Sequence, residues 1–125
     1  MNIKIRSINF DITPAIDEYV SKKLSSLEKF LEVSEGTICE VEIGRTTKHH
    51  NSGDIFKAEI NLTQPGAKQV YAVAEESDLY TAIDIVRDDA ERAIVSRKTK
   101  DTTLFRKGAS KIKDLLKRVN FRRTN

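Results

Sequence analysis

One cysteine, two histidines and two prolines occur in 125 residues, and each scarcity removes a class of answer. A lone Cys39 leaves no intramolecular disulfide, so the chain must close on packing alone. No run approaches the ~20 apolar residues that span a bilayer. No N-terminal apolar run resembles a signal peptide, and the expectation is a cytoplasmic protein with no membrane partner. His49 and His50 sit side by side without Cys or carboxylate partners at ligand spacing, which points to a solvated loop and to no metal site. Cys39 falls on the apolar side of a strand pattern, where a thiol packs and does not attack. Phosphate-loop, dinucleotide and nucleophile-elbow patterns (G-x-x-x-x-G-K-[ST], G-x-G-x-x-G, G-x-S-x-G) are all missing. No enzyme, catalytic residue, cofactor or small-molecule substrate is therefore expected.

The chain is long enough for one ordinary domain with a single core. Its formal charge of +3 conceals a division. Residues 1–100 hold 14 Lys/Arg against 17 Asp/Glu, a balance of −3, whereas residues 101–125 hold 8 against 2, a balance of +6. A slightly acidic body can still bind nucleic acid, but only through a local basic patch.

The most strongly patterned stretch is residues 75–100. Leu79, Ile83, Val86, Ala90, Ala93 and Ile94 recur at steps of three and four, the stripe of a long helix with one buried face. Ser77 and Asp78 supply capping oxygens at its start, and Glu75 and Glu76 favour the positive end of the helix dipole. Arg92, Arg97, Lys98 and Lys100 crowd its exit, more cations than dipole stabilisation requires.

Upstream, residues 2–9 alternate as a strand, with Ile3 and Ile5 opposite Lys4 and Arg6. Thr13-Pro14 then starts a helix, since Thr caps and Pro carries the right φ. Ile16, Val20, Leu24, Leu27 and Leu31 continue at helical spacing, so this helix is expected to run to near Gly36. Lys22 and Lys29 lie on one outer line with Lys23 at its edge, either a solvated face or a line of phosphate contacts. Residues 37–46 and 54–64 alternate as strands around Cys39, Val41, Ile43 and around Phe56, Ala58, Ile60, Leu62. Asn51, Ser52 and Gly53 turn one into the other as an antiparallel hairpin. Gln64-Pro65-Gly66 marks the next turn, and residues 68–75 form the fourth strand. The order is βαβββα, with a crossover from the first strand to the second that is long enough for parallel pairing.

Asp78-Leu79-Tyr80, Ala82-Ile83-Asp84 and the exit Arg97-Lys98-Thr99-Lys100 resemble the D-[ML]-Y-x-A-I-D core and basic helix end of the bacterial ribosome hibernation-promoting factor and ribosome-associated translation inhibitor family, short form. The resemblance covers residues 1–101, a ribosome-binding domain, and leaves residues 102–125 as a basic tail. It implies an α+β fold like the double-stranded-RNA-binding domain, a four-stranded mixed sheet with both helices on one face. Tyr71 and Val73 then lie on the open face.

It also implies a partner and a mechanism. The partner is the ribosomal RNA of the small subunit at the decoding region. Occupancy would sterically exclude messenger and transfer RNA under stress or in stationary phase, and other factors could bring about ribosome dimerisation. The residues for such a surface are Lys22, Lys23 and Lys29 on the first helix and Tyr80, Arg87, Arg92, Arg97, Lys98 and Lys100 on the second. Two packed helices can present these cations at phosphate spacing and read RNA shape. Tyr80, at the border of the buried stripe, serves either architecture or base stacking. Asp88-Asp89 depart from the family pattern, where many members carry Lys, and with Ala90 and Ala93 make the middle turn less basic.

The alternative is a protein-interaction module that uses the open sheet face or the acidic helix side, Asp84, Asp88 and Glu91, whose simpler reading is a solvated face paired with Arg87 and Arg92. In the tail, Ile112, Leu115, Leu116 and Val119 recur at helical spacing among basic residues, which leaves either a short amphipathic helix or a disordered segment.

Overall fold

The computed structural model describes residues 1–31, 35–49 and 53–97, and by backbone contacts the chain divides into Met1–Val95 and Ser96–Asn125. In chain order the described elements are β1 (Asn2–Ile8), α1 (Pro14–Ser25), a 3-10 turn (Glu28–Phe30), β2 (Ile38–His49), β3 (Gly53–Thr63) and β4 (Val70–Glu76). A second helix, α2, follows over residues 79–97. The strands form one sheet in the order β1-β2-β3-β4. β1 runs parallel to β2, and the other two pairs are antiparallel.

Period-two alternation becomes a two-faced sheet because paired residues share a side. Cys39, Val41 and Ile43 lie opposite Leu62, Ile60 and Ala58, and Ala58, Ile60 and Leu62 lie opposite Ala74, Ala72 and Val70. All nine are buried. They join Val20, Leu24 and Leu27 of the α1 segment and Leu79, Ala82, Ile83, Val86, Ala90 and Ile94 of α2 in one core. Both helices thus cover the same face, giving the α+β sandwich expected from the sequence. Small residues on β4 and on α2 leave room for helix and sheet backbones to approach.

The turns follow their chemistry. Thr13 Oγ1 accepts the Ile16 N–H at 3.2 Å, with Pro14 in the first turn of α1. The Ala67 N–H donates to the Gln64 carbonyl at 3.2 Å, and Gly66 takes φ 74°, as a Pro-Gly turn of this kind requires. Gly36 also has positive φ, and a Cβ placed there would come within 3.1 Å of Pro65 Cγ.

Three boundaries differ from expectation by more than two residues. α1 stops at Ser25 rather than near Gly36. The Ser26 hydroxyl bonds back to the Lys23 carbonyl, and the Leu27 N–H returns to the Leu24 carbonyl at 3.0 Å, so the chain tightens into a 3-10 turn while still burying Leu27 and Leu31. α2 begins at residue 79, not 75, because Glu75 and Glu76 remain in β4, paired with Lys57 and Phe56. β2 extends to His49 past a register shift after Thr46, which shortens the expected loop; His50, Asn51 and Ser52 lie outside the described residues, as do the rest of the expected basic exit and the tail, residues 98–125.

Candidate nucleic-acid interface

The helix-bearing side is assembled by contacts between α1 and α2 that run in step. Tyr19 meets Tyr80 edge-to-face, with ring centroids 4.8 Å apart. The Tyr19 hydroxyl donates to Asp84, and the Lys23 ammonium lies 3.3 Å from the same carboxylate. One turn further on, Arg87 Nε donates to Ser26 Oγ at 2.8 Å. Positions 19, 23 and 26 therefore pair with 80, 84 and 87, so the two helices run side by side in the same direction. That juxtaposition brings Lys23 of α1 to Asp84 of α2 and Arg87 of α2 to the end of α1.

Arg87 is the most embedded of them. Its side chain is only 12% exposed, its Nη1 group donates to Glu91 at 2.8 Å and Asp88 at 3.0 Å, and it lies 5.8 Å from the Phe30 ring centroid. Burial works against its charge, but the bonds to Glu91 and Asp88 outweigh that and raise its pKa. With Nε and Nη1 engaged by protein, Arg87 acts first as a strut between α2 and the end of α1.

Other cations face outward. Lys22 is exposed. Lys29, which the early end of α1 places on the 3-10 turn rather than on the α1 line, lies 5.2 Å from the centroid of the Phe30 ring. Arg92 is 70% exposed and pairs with Asp89 one turn back. Tyr80 is 40% exposed, so its ring both braces Tyr19 and offers surface to a partner. Arg97 closes the described part of α2, and Lys98 and Lys100 lie outside the described residues.

The start of α2 is fixed by Asp78, whose carboxylate accepts the Thr81 N–H at 2.9 Å and the Thr81 hydroxyl at 2.8 Å. Those bonds, the hydroxyl's first, hold its pKa below the usual carboxylate value. The Tyr19 hydroxyl is pushed up to about 12, chiefly because the Asp84 carboxylate holds its proton. Burial lifts the Cys39 thiol to about 11, which leaves it no useful thiolate at neutral pH.

The opposite side of the sheet carries a hollow of about 330 Å³ lined by Lys4, Arg6, Glu40, Glu42, Glu59 and Asn61. Tyr71 and Val73 stand beside it, 57% and 41% exposed. Among the described residues no group of three or more His, Cys, Asp or Glu could hold a metal ion, and no helix is long and apolar enough to cross a membrane.

A family model described as "Sigma 54 modulation protein / S30EA ribosomal protein" matches residues 3–102. The chain belongs to that family. It is 32% identical over 100 residues to a ribosome hibernation promoting factor of Azotobacter vinelandii, a match over 80% of this chain and 85% of the relative. It is 30% identical over 110 residues to the ribosome hibernation promotion factor of Bacillus subtilis, a match over 88% of this chain and 55% of that protein. The chain thus spans about half the length of the Bacillus relative. Among solved structures, the N-terminal domain of Protein Y from Thermus thermophilus superposes with a TM-score of 0.64 at 34% identity, over 75% of this chain and 96% of that one. A ribosomal subunit interface protein from Coxiella burnetii, 22% identical, shares the fold with a TM-score of 0.63 over 79% of this chain and 99% of its own.

Within this S30EA-family domain the structure adds cross-helix roles that sequence reasoning did not reach. Tyr19, Ser26 and Phe30 are the α1-side partners of Asp84 and Arg87, and Asp84, read as part of a solvated acidic face, is a cross-helix acceptor. A signal was present in the pairing of two tyrosines at the margins of two apolar stripes. Their mutual contact spans some sixty residues, and no local spacing rule reaches that far.

Proposed function

We propose that the α1/α2 face binds ribosomal RNA of the small subunit at the decoding region, excludes messenger RNA and the anticodon ends of transfer RNA, and keeps idle ribosomes intact in stress or stationary phase. The observation that carries this reading is the side-by-side, in-step packing of α1 and α2, which joins Lys23 to Asp84 and Tyr19 to Tyr80, while Lys22, Lys29 and Arg92 stand exposed on the elements so joined. Membership of the S30EA family, and relatives named as ribosome hibernation factors, support the ribosome as the target. A ribosome-bound factor of this kind works in the cytoplasm, without cofactor or catalysis. Residues 1–101 form the binding domain in this reading, and the basic segment 102–125, with Lys98 and Lys100, adds electrostatic attraction.

Sedimentation of the purified protein with small subunits tests it. Binding should weaken steeply with salt, and Lys22→Glu with Arg92→Glu should lower affinity and flatten the salt dependence by roughly one to two units of slope, given about 0.9 per phosphate contact. The melting temperature should hold, since both side chains are exposed. Salt-insensitive binding that survives the double variant would instead favour a protein contact through the open sheet face around Tyr71 and Val73.

A further inference from the structure

Carboxylates stand among the cations of the α1/α2 face, and each holds one of them. Asp84 takes Lys23 at 3.3 Å while also accepting from Tyr19. Asp89 takes Arg92. Asp88 and Glu91 take Arg87, but that guanidinium is largely buried and lies close to the Phe30 ring, so its pairs belong to the scaffold. Lys23 with Asp84 and Arg92 with Asp89 are different, because all four side chains reach solvent.

An RNA phosphate that approaches Lys23 or Arg92 meets a carboxylate already in place. Exchange of one anion for another yields little, and a phosphate set down slightly out of register lies against the carboxylate and is repelled. Only a partner whose phosphates fall on the cations and clear of Asp84 and Asp89 gains the full attraction. We propose that Asp84 and Asp89 are specificity-determining residues of the RNA-binding face, internal counter-ions that penalise ill-fitting RNA more than the fitting site. This rests on the RNA-binding reading above.

The simpler account is that these are ordinary surface pairs that solvate a helix. It expects neutralisation to strengthen all RNA binding alike, or to change nothing. The two accounts separate in a ratio. Full-length protein is titrated against purified small ribosomal subunits and, separately, against a short RNA duplex of unrelated sequence, with the wild type, Asp84→Asn, Asp89→Asn and the double variant. Asn keeps the shape of each side chain, and at position 84 it keeps an acceptor for Tyr19. Asp89→Asn, whose partner Arg92 lies on its own helix, stands as the independent case should Asp84→Asn lower the melting temperature.

Affinity for the unrelated duplex should rise by up to about fivefold per variant, the most an exposed ion pair usually carries, with a steeper salt dependence. Affinity for small subunits should rise by a smaller factor, so the preference for subunits over duplex falls. An unchanged preference, from equal rises or from none, overturns the proposal. Failure of the wild type to bind small subunits at all is a separate result, and it overturns the RNA-binding reading itself.

Discussion

The two faces of the sheet are cut from the same four strands, residue by alternate residue, and they hold together by different means. On the covered face the cross-strand rows Cys39 with Leu62, Val41 with Ile60 and Ile43 with Ala58 are apolar and sealed by two helices. On the open face Glu42 lies directly across from Glu59, an opposition of like charges that would weaken a ladder. A cation answers each: Arg6 takes Glu42 from β1, and Lys57 takes Glu59 at 2.7 Å from its own strand. Those bonds raise the pKa of both cations. One face is fixed by exclusion of water and the other by matching of charge in water, so they should respond to substitution on different scales.

The largest effect belongs to the covered face. Ile60→Ala, at a fully buried position between Val41 and Ala72, should cost about 2–5 kcal/mol, read from the denaturant midpoint. A loss under about 1 kcal/mol would mean that the core collapses around the gap.

The helix-to-helix contact comes next. Tyr19→Phe removes the hydroxyl bond to Asp84 and should cost about 1 kcal/mol. The tyrosine also gives this contact an alkaline signature. Its pKa rises from about 10 unfolded to about 12 folded, so its contribution is complete below pH 10 and disappears as pH climbs towards 12. Melting temperatures of wild type and Tyr19→Phe should therefore converge over that window; parallel curves would show that Asp84 does not hold the proton.

The smallest effect belongs to the open face. Arg6→Ala leaves Glu42 opposite Glu59 without its cation, yet in solvent the loss should be far smaller than that of Ile60→Ala and shrink as salt rises. If Arg6→Ala destabilised the protein as much as Ile60→Ala, the contrast between the faces would not survive.

Much of this architecture was legible from local rules. The buried faces of the strands followed from period-two alternation and the turn before β4 from Pro65-Gly66, and the buried stripe of α2 followed from its three-and-four spacing. The end of α1 was not legible. Leu27 and Leu31 keep helical spacing beyond Ser25, and a 3-10 turn that buries the same leucines looks identical in pattern. The candidate interface was legible in its cations and only in part in their state. Spacing placed Lys23, Arg87 and Arg92 on the right helices and offered Glu91 as a partner of Arg87, whereas the bonds between helices, Lys23 to Asp84 and Arg87 to Ser26, depend on the angle at which the helices meet and on rotamers. No one-dimensional pattern carries either.

Cys39 has a practical consequence. It sits fully buried in a central strand, between Ile3 and Leu62, with its pKa lifted to about 11. At pH 7 only roughly one thiol in ten thousand is ionised, and that one is walled in. A thiol reagent can reach it only when the sheet opens, so the rate of labelling in native buffer clocks opening, with no engineered probe. A cysteine introduced at an exposed site such as Lys22 would react far sooner, so fluorophores or cross-linkers can be attached there without first removing the native thiol.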